Sequence, residues 1–275
     1  MKQIRPGTQQ FREFGRRPVA QIISETAPAG RSLACAHPHH VTPRVCGGWW
    51  PTLAGVATVI GFDLDMTLVD SREAIIGALA QMCANRGIEH SEEELGSRIG
   101  LPLLDIVAAL APGFDPELAA AEYRDHYGRV GLDTHTLLPG AIAAVDRIRS
   151  AGGAVVVVTG KREDQARMVL ETVGLDVEHV VGSVFGSGKG PSLVRLGADA
   201  YVGDHPGDIA GAREARVISV GVATGAHDAD TLLQHGADIV LNDLRDFPSW
   251  LADGLDFAPP SWHQSPASTG NRRLR

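Results

Sequence analysis

The sequence predicts an α/β protein with a parallel β-sheet and helices on both of its faces. Three observations predict it. Short apolar runs, most of them rich in β-branched residues, recur at 56–62, 155–158, 200–203, 217–222 and 239–241. Stretches of helical length and periodicity separate most of them, which is the pattern of β-α-β units. The first run breaks directly into Asp63-Leu64-Asp65, and the carboxyl ends of strands are where open α/β sheets bind ligands.

Taken in order, Val56–Phe62 reads as the first strand, apolar and ended by polar residues. Ser71 is placed to cap a helix carrying Ile75, Leu79 and Met82 on one stripe. Ser91-Glu92-Glu93-Glu94 has the form of a capping box for a second helix. Pro102 opens a third, LPLLDIVAALA, and Asp115-Pro116 a fourth running to about Gly128. Pro139-Gly140 marks a hinge. From Ala141 the chain alternates. A helix to about Ser150 precedes a strand at Val155–Thr159, and a helix at about 163–173 precedes a short strand near 180–185. A brief helix near 191–196 leads to Ala200–Gly203, and a helix at about 207–215 leads to Val217–Val222. A helix near 228–235 precedes a last strand, Ile239–Leu241.

Composition narrows the function. The chain has 275 residues, 44% of them hydrophobic, which is enough for a sizeable core. A net charge of −8 and a pI near 5.7 argue against a general nucleic-acid binder. Charge is uneven, because residues 1–55 hold seven Lys or Arg against two Glu. Three cysteines, Cys35, Cys46 and Cys83, give no disulfide framework and fit a cytoplasmic protein. The basic start is followed by no apolar core of a secretory signal. The apolar stretch from Trp49 to Phe62 is broken by Pro51 and Gly55 and is too short to span a membrane.

Residues 1–55 have weak periodicity and scattered Pro and Gly, and read as a poorly ordered extension. They contain Cys35, His37, His39, His40 and Cys46. That crowding raises a zinc site, but the pair lacks a CxxC knuckle, and a coincidental tail is the favoured reading. Residues 258–275 read as a disordered tail.

The chemistry-bearing residues follow the strand ends. Residues two apart on an extended chain share a face, so Asp63 and Asp65 are expected to converge. Two like charges that close call for a cation, and hard carboxylate oxygens suit Mg2+. Thr159 ends the 155–158 run, and Gly203-Asp204-His205-Pro206-Gly207-Asp208 follows the 200–203 run. The segment GSGKG around Lys189 fails as a P-loop, because Ser183 and Gly190 stand where that motif needs Gly and Ser or Thr.

With Asp63-Leu64-Asp65-Met66-Thr67, Thr159, Lys189 and Gly203–Asp208 in this order, the chain resembles the haloacid dehalogenase-like hydrolases, in their phosphatase branch and closest to phosphoglycolate phosphatases. The resemblance implies a Rossmann-like core from residues 56–70 and 139–257, with an all-helical cap inserted at 71–138. It implies a Mg2+-dependent phosphatase acting on a small phosphorylated metabolite. Asp63 would be the nucleophile and Asp65 the general acid and base. Asp63, the backbone carbonyl of Asp65, Asp204 and Asp208 would hold the metal, with Asp208 alternatively capping the following helix. Thr159 and Lys189 would bind the phosphoryl group, with Lys161 as a rival for that contact. His205 reads as a solvated loop residue. The segment Arg98–Pro102 would face the cleft and read the leaving group. Asp65 disfavours dehalogenation, since dehalogenating relatives lack the second aspartate. A phosphomutase would share Asp63 and Asp65. A phosphonate hydrolase would need a cap lysine, and residues 71–138 contain none. A non-catalytic phospholigand-binding module is the remaining alternative.

Overall fold

The computed structural model describes residues 58–130 and 132–253. The basic extension, its Cys/His segment and the C-terminal tail lie outside the described residues.

Six strands form one parallel sheet. They are β1 (Val59–Phe62), β4 (Ala154–Val158), β5 (His179–Val181), β6 (Ala200–Gly203), β7 (Ile218–Val222) and β8 (Ile239–Leu241), in the order β5-β4-β1-β6-β7-β8. Between β1 and β4 stand β2 (Val69–Asp70), helices α1 (Arg72–Ala84), α2 (Glu92–Gly96), α3 (Leu103–Leu110) and α4 (Pro116–Val130), β3 (Thr136–Leu137) and α5 (Ala141–Ser150). The remaining helices are α6 (Glu163–Thr172), α7 (Lys189–Leu196), α8 (Pro206–Ala215), α9 (Ala229–Gln234) and α10 (Phe247–Asp253).

The strands are apolar on both alternating sets of positions because each face is covered. Val155 and Val157 of β4 pack in one cluster with Val145 and Ile148 of α5 and Val169 of α6. Val156 and Val158 pack in another with Leu193 of α7 and Ala212 of α8. Such two-sided burial is what a parallel sheet with crossover helices requires. Phe62 anchors the first cluster, with its ring 5.5 Å from that of Phe247.

Strand order fixes where a site can form. β1 is central, paired with β4 on one side and β6 on the other. The chain leaves β1 toward opposite flanks, so the carboxyl ends of β1, β4 and β6 border a switch point of the topology. Asp63, Thr159 and Asp204 each follow directly on one of those strands.

Several local expectations are corrected. Ser71 stands at the start of α1, but its hydroxyl accepts no capping bond and is buried without a partner. Asp70 instead accepts from the Arg72 N–H. The apolar run near 180–185 is strand only at His179–Val181, because the chain bends back at Gly182 and Ser183, whose N–H donates to the Lys161 carbonyl. α7 begins at Lys189 rather than Pro191, with Pro191 inside its first turn, where a missing N–H costs nothing. The stretch read as purely helical also supplies β3, which pairs antiparallel with β2. This two-residue ribbon joins the outgoing and returning segments of the α1–α4 insertion. No helix among the described residues is long and apolar enough to cross a membrane.

Candidate active site

The site grows from the end of β1. The N–H of Asp63 donates to the Val202 carbonyl at 2.8 Å, holding the residue level with β6. The strand ends there, and Met66 takes a left-handed conformation with φ 59°. A non-glycine residue in that region marks a sharp local turn. The chain already bends at Leu64, between the two aspartates, which meet different neighbours, so the expected shared face is not realised. Oxygens of Asp63, Asp204 and Asp208 lie within 4.8 Å of one another, and the Asp65 carboxylate is outside that group. Asp65 Oδ1 instead lies 3.1 Å from Lys161 Nζ. That contact is an ion pair without hydrogen-bond alignment.

The other two cluster members are held by local structure. Asp204 is buried and accepts from the Thr67 hydroxyl at 3.0 Å. Asp208 serves two purposes at once. Its Oδ2 accepts from the His205 N–H at 3.1 Å, completing a capping box on α8, while Oδ1 lies 2.6 Å from Lys189 Nζ. Gly203 permits this folding back, since a Cβ there would lie 2.3 Å from the Asp208 Cγ. His205 is not a solvated loop residue. Its Nδ1 accepts from the Gly207 N–H at 2.9 Å, and its ring meets that of His227 edge-on at 4.8 Å.

Lys189 sits at the centre. Its Nζ is 3.0 Å from Asp63 Oδ1 and donates to the Tyr201 hydroxyl at 2.9 Å. Tyr201 in turn donates to the Val158 carbonyl at 2.5 Å. Burial alone would lower the Lys189 pKa, but Asp208 and Asp63 outweigh it and hold the ammonium well above the usual lysine value. Burial raises the Asp63 carboxyl to about 6, with Asp208 and Asp65 adding and Lys189 opposing. Burial, then Asp208 and Asp63, pushes Asp204 well up.

These directions expose a charge imbalance. Three clustered carboxylates face one ammonium, leaving two negative charges in a largely desolvated volume. A divalent cation would balance them, and an all-oxygen donor set suits a hard ion. The residues therefore fit a metal.

Asp63, Asp65, Thr159, Lys161 and Lys189 line one cleft together with Asp204 and Asp208, of about 270 Å3. Thr159 is buried there and its hydroxyl accepts from the Lys161 N–H at 3.3 Å. Lys161 points to Asp65 and to the Tyr127 hydroxyl at 2.8 Å rather than to the carboxylate cluster. Of the Arg98–Pro102 segment, residues 99–102 line the cleft and Arg98 does not. Leu103, Leu104 and Ile106 of the insertion and Phe185 of the core add apolar surface to the same cleft. Tyr201 and Tyr127 carry no sequence motif, and Thr67 closes the first motif without a role assigned to it there. Residues 58–253 contain only two lysines, Lys161 and Lys189, and both line the cleft.

Comparison with known proteins agrees with this geometry. A haloacid dehalogenase-like hydrolase family model matches residues 60–189, and a HAD-hydrolase-like model matches residues 195–247. The chain is 29% identical over 182 residues to the tyrosine-protein kinase PtkA of Mycobacterium tuberculosis, covering 66% of this chain. The match spans only 60% of the length of that mycobacterial relative. It is 29% identical over 211 residues to the phosphoglycolate phosphatase of Caulobacter vibrioides, covering 69% of this chain and 88% of that one. A haloacid dehalogenase-like family hydrolase of Streptococcus pneumoniae superposes with a TM-score of 0.65 at 21% identity, over 70% of this chain and 98% of its own, and so shares the fold. With both family models matched in sequence order, and acids gathered at the ends of β1 and β6, this chain belongs to the haloacid dehalogenase-like hydrolases.

Proposed function

We propose that this protein is a Mg2+-dependent phosphatase that hydrolyses a small phosphorylated metabolite, with phosphoglycolate as the first candidate. One observation carries the reading: two carboxylates near one cleft have been given different environments. Asp63 faces Lys189 among further acids, whereas Asp65 faces Lys161. Pairs of acids held in unlike surroundings can divide nucleophile and proton-transfer roles.

In this reading an Asp63 oxygen attacks phosphorus and the bond from phosphorus to the leaving oxygen breaks, giving an aspartyl-phosphate. Asp65 gives its proton to the leaving oxygen. It then takes a proton from the water that cleaves the aspartyl-phosphate, which returns both acids to their starting states. Lys189 and Thr159 meet the phosphoryl oxygens and offset their charge. Asp63, Asp204, Asp208 and the Asp65 carbonyl would hold Mg2+, which supplies further positive charge beside the phosphoryl group. Lys161 serves Asp65 in the first instance. Helices α1–α4 act as a cap, and the wall of Ile99, Leu101 and Leu104 keeps bulk water from the leaving group.

The test is release of phosphate from p-nitrophenyl phosphate with Mg2+, followed by a panel of small phosphate esters. Asp63→Asn is expected to remove turnover. A folded, metal-loaded protein with no turnover across the panel would instead support a phospholigand-binding module. Conversion of a sugar phosphate without net phosphate release would support a phosphomutase.

A further inference from the structure

A line of buried contacts runs from the cleft into the helical insertion, outside the carboxylate cluster. Asp65 Oδ1 lies 3.1 Å from Lys161 Nζ. Lys161 Nζ donates to the Tyr127 hydroxyl at 2.8 Å and lies 4.1 Å from the centre of its ring. The Tyr127 oxygen is 2.5 Å from His135 Nε2, and the two rings meet edge-on at 5.5 Å.

Each member comes from a different segment. Asp65 follows β1 and Lys161 follows β4, so both belong to the core. Tyr127 lies on α4, and His135 immediately precedes β3, on the return from the insertion. The Lys161 side chain is 6% exposed, Tyr127 1% and His135 6%. An ammonium so buried is stable only where polar partners surround it. Asp65 and Tyr127 are polar partners of this kind.

The protons can be assigned. Burial drives the Tyr127 phenol far above its ordinary pKa, with Asp65 adding, so the hydroxyl stays neutral. Its oxygen accepts from Lys161, which leaves its single proton for His135 Nε2. Asp65 Oδ1 has no aligned hydrogen bond to fix it, so the position of Lys161 sets the orientation of that carboxyl.

We propose that Tyr127 and His135 are positioning residues that hold Lys161 on Asp65 while the insertion is docked on the core. The insertion thereby controls the aim of the group that protonates the leaving oxygen. This rests on the reading of Asp65 as that group. Movement of α4 away from the core withdraws Tyr127 and releases Lys161, so proton transfer to the leaving oxygen is efficient only with the cleft covered.

A pair of esters tests it. The p-nitrophenolate leaving group departs without a proton, whereas an alkoxide needs one. The ratio of kcat for p-nitrophenyl phosphate to kcat for ethyl phosphate therefore reports on Asp65 apart from every other contribution. Tyr127→Phe keeps the ring and loses only the hydroxyl. It is expected to raise the ratio about tenfold, a fraction of the 10²–10⁴ that general acid catalysis contributes, while changing KM for either ester by less than about twofold. His135→Asn is expected to act in the same direction, and near-UV circular dichroism checks that both variants fold. In an Asp65→Asn background, Tyr127→Phe is expected to leave the ratio unchanged, because the two residues act through one path. Equal losses on both esters would mark Tyr127 as structural and overturn the proposal, as would an unchanged ratio in the single variants. Absence of turnover with these esters and across the wider panel in the wild-type protein would overturn the phosphatase reading, and this proposal with it.

Discussion

Gly225 offers the sharpest test of the metal reading. A Cβ at this position would lie 1.8 Å from Asp204 Oδ2 and 2.7 Å from its Cγ. The oxygen would have to retreat by more than about 1 Å to reach even the tight end of ordinary contact. It has little room, because Asp204 is buried and its other oxygen accepts from Thr67 at 3.0 Å. The loop cannot easily yield either, since the neighbouring Thr224 hydroxyl donates to the Met66 carbonyl at 2.6 Å. Gly225→Ala thus turns the Asp204 carboxylate out of the cluster while removing no ligand atom. Mg2+ demands near-octahedral oxygen placement, and disturbing the groups that orient a ligand costs about 10–100-fold in metal affinity. That is about 1.4–2.7 kcal/mol. The assay is a Mg2+ titration of p-nitrophenyl phosphate hydrolysis at saturating ester. The half-saturating Mg2+ concentration is expected to rise by that factor. Gly77→Ala is the control: it lies on an exposed face of α1 with nothing within 4 Å of the added carbon, and is expected to stabilise the helix by about 0.5–1 kcal/mol. A wild-type Mg2+ response in Gly225→Ala would refute the assignment of Asp204 as a ligand.

Three further outcomes are expected. Tyr201→Phe deprives the Val158 carbonyl of a donor and Lys189 of an acceptor inside the protein, and is expected to cost about 1–3 kcal/mol in urea unfolding. Phe247→Ala empties a fully buried site packed on Phe62 and Trp250, and is expected to cost about 3–5 kcal/mol by the same measurement. His90 places one ring nitrogen 2.9 Å from the Leu110 carbonyl and the other 2.9 Å from Glu94, an arrangement that favours the imidazolium and raises its pKa above 6.5. A raised folded-state value means the stabilisation is full below about pH 6.5 and is lost as pH rises through the folded value. The stability gap between wild type and His90→Ala is therefore expected to narrow from pH 6 to pH 8; a gap that widens would contradict the pairing.

What the sequence revealed and what it hid differ in the range of the interactions concerned. β1 was legible because an apolar run ending in carboxylates is a local pattern, and β4 and β6 with Thr159 and Asp204 at their ends followed the same rule. Asp208 left two readings open from sequence, as ligand or as cap. The structure gives one oxygen to the α8 cap and turns the other toward Lys189. The divergence of Asp63 and Asp65 was hidden, because the chain bends at Leu64 between them, a residue type that gives no warning of a bend. The β2–β3 ribbon was hidden too, since two residues per strand carry no periodicity. Lys161, Tyr127 and His135 meet only through folding, and a contact between Lys161 and Tyr127, 34 residues apart in sequence, leaves no trace in local pattern. His205 looked like a loop residue because its cap role needs the geometry of Gly207 behind it.

Both lysines between residues 58 and 253 stand at the cleft and are almost wholly enclosed. Elsewhere on that fold, every permanently cationic side chain is an arginine. A reagent seeking primary amines therefore finds none on the outer face of the described fold. Its slow capture of Lys161 and Lys189 would clock how often the cleft opens to the reagent, and an occupant of the cleft such as orthovanadate would stop that clock.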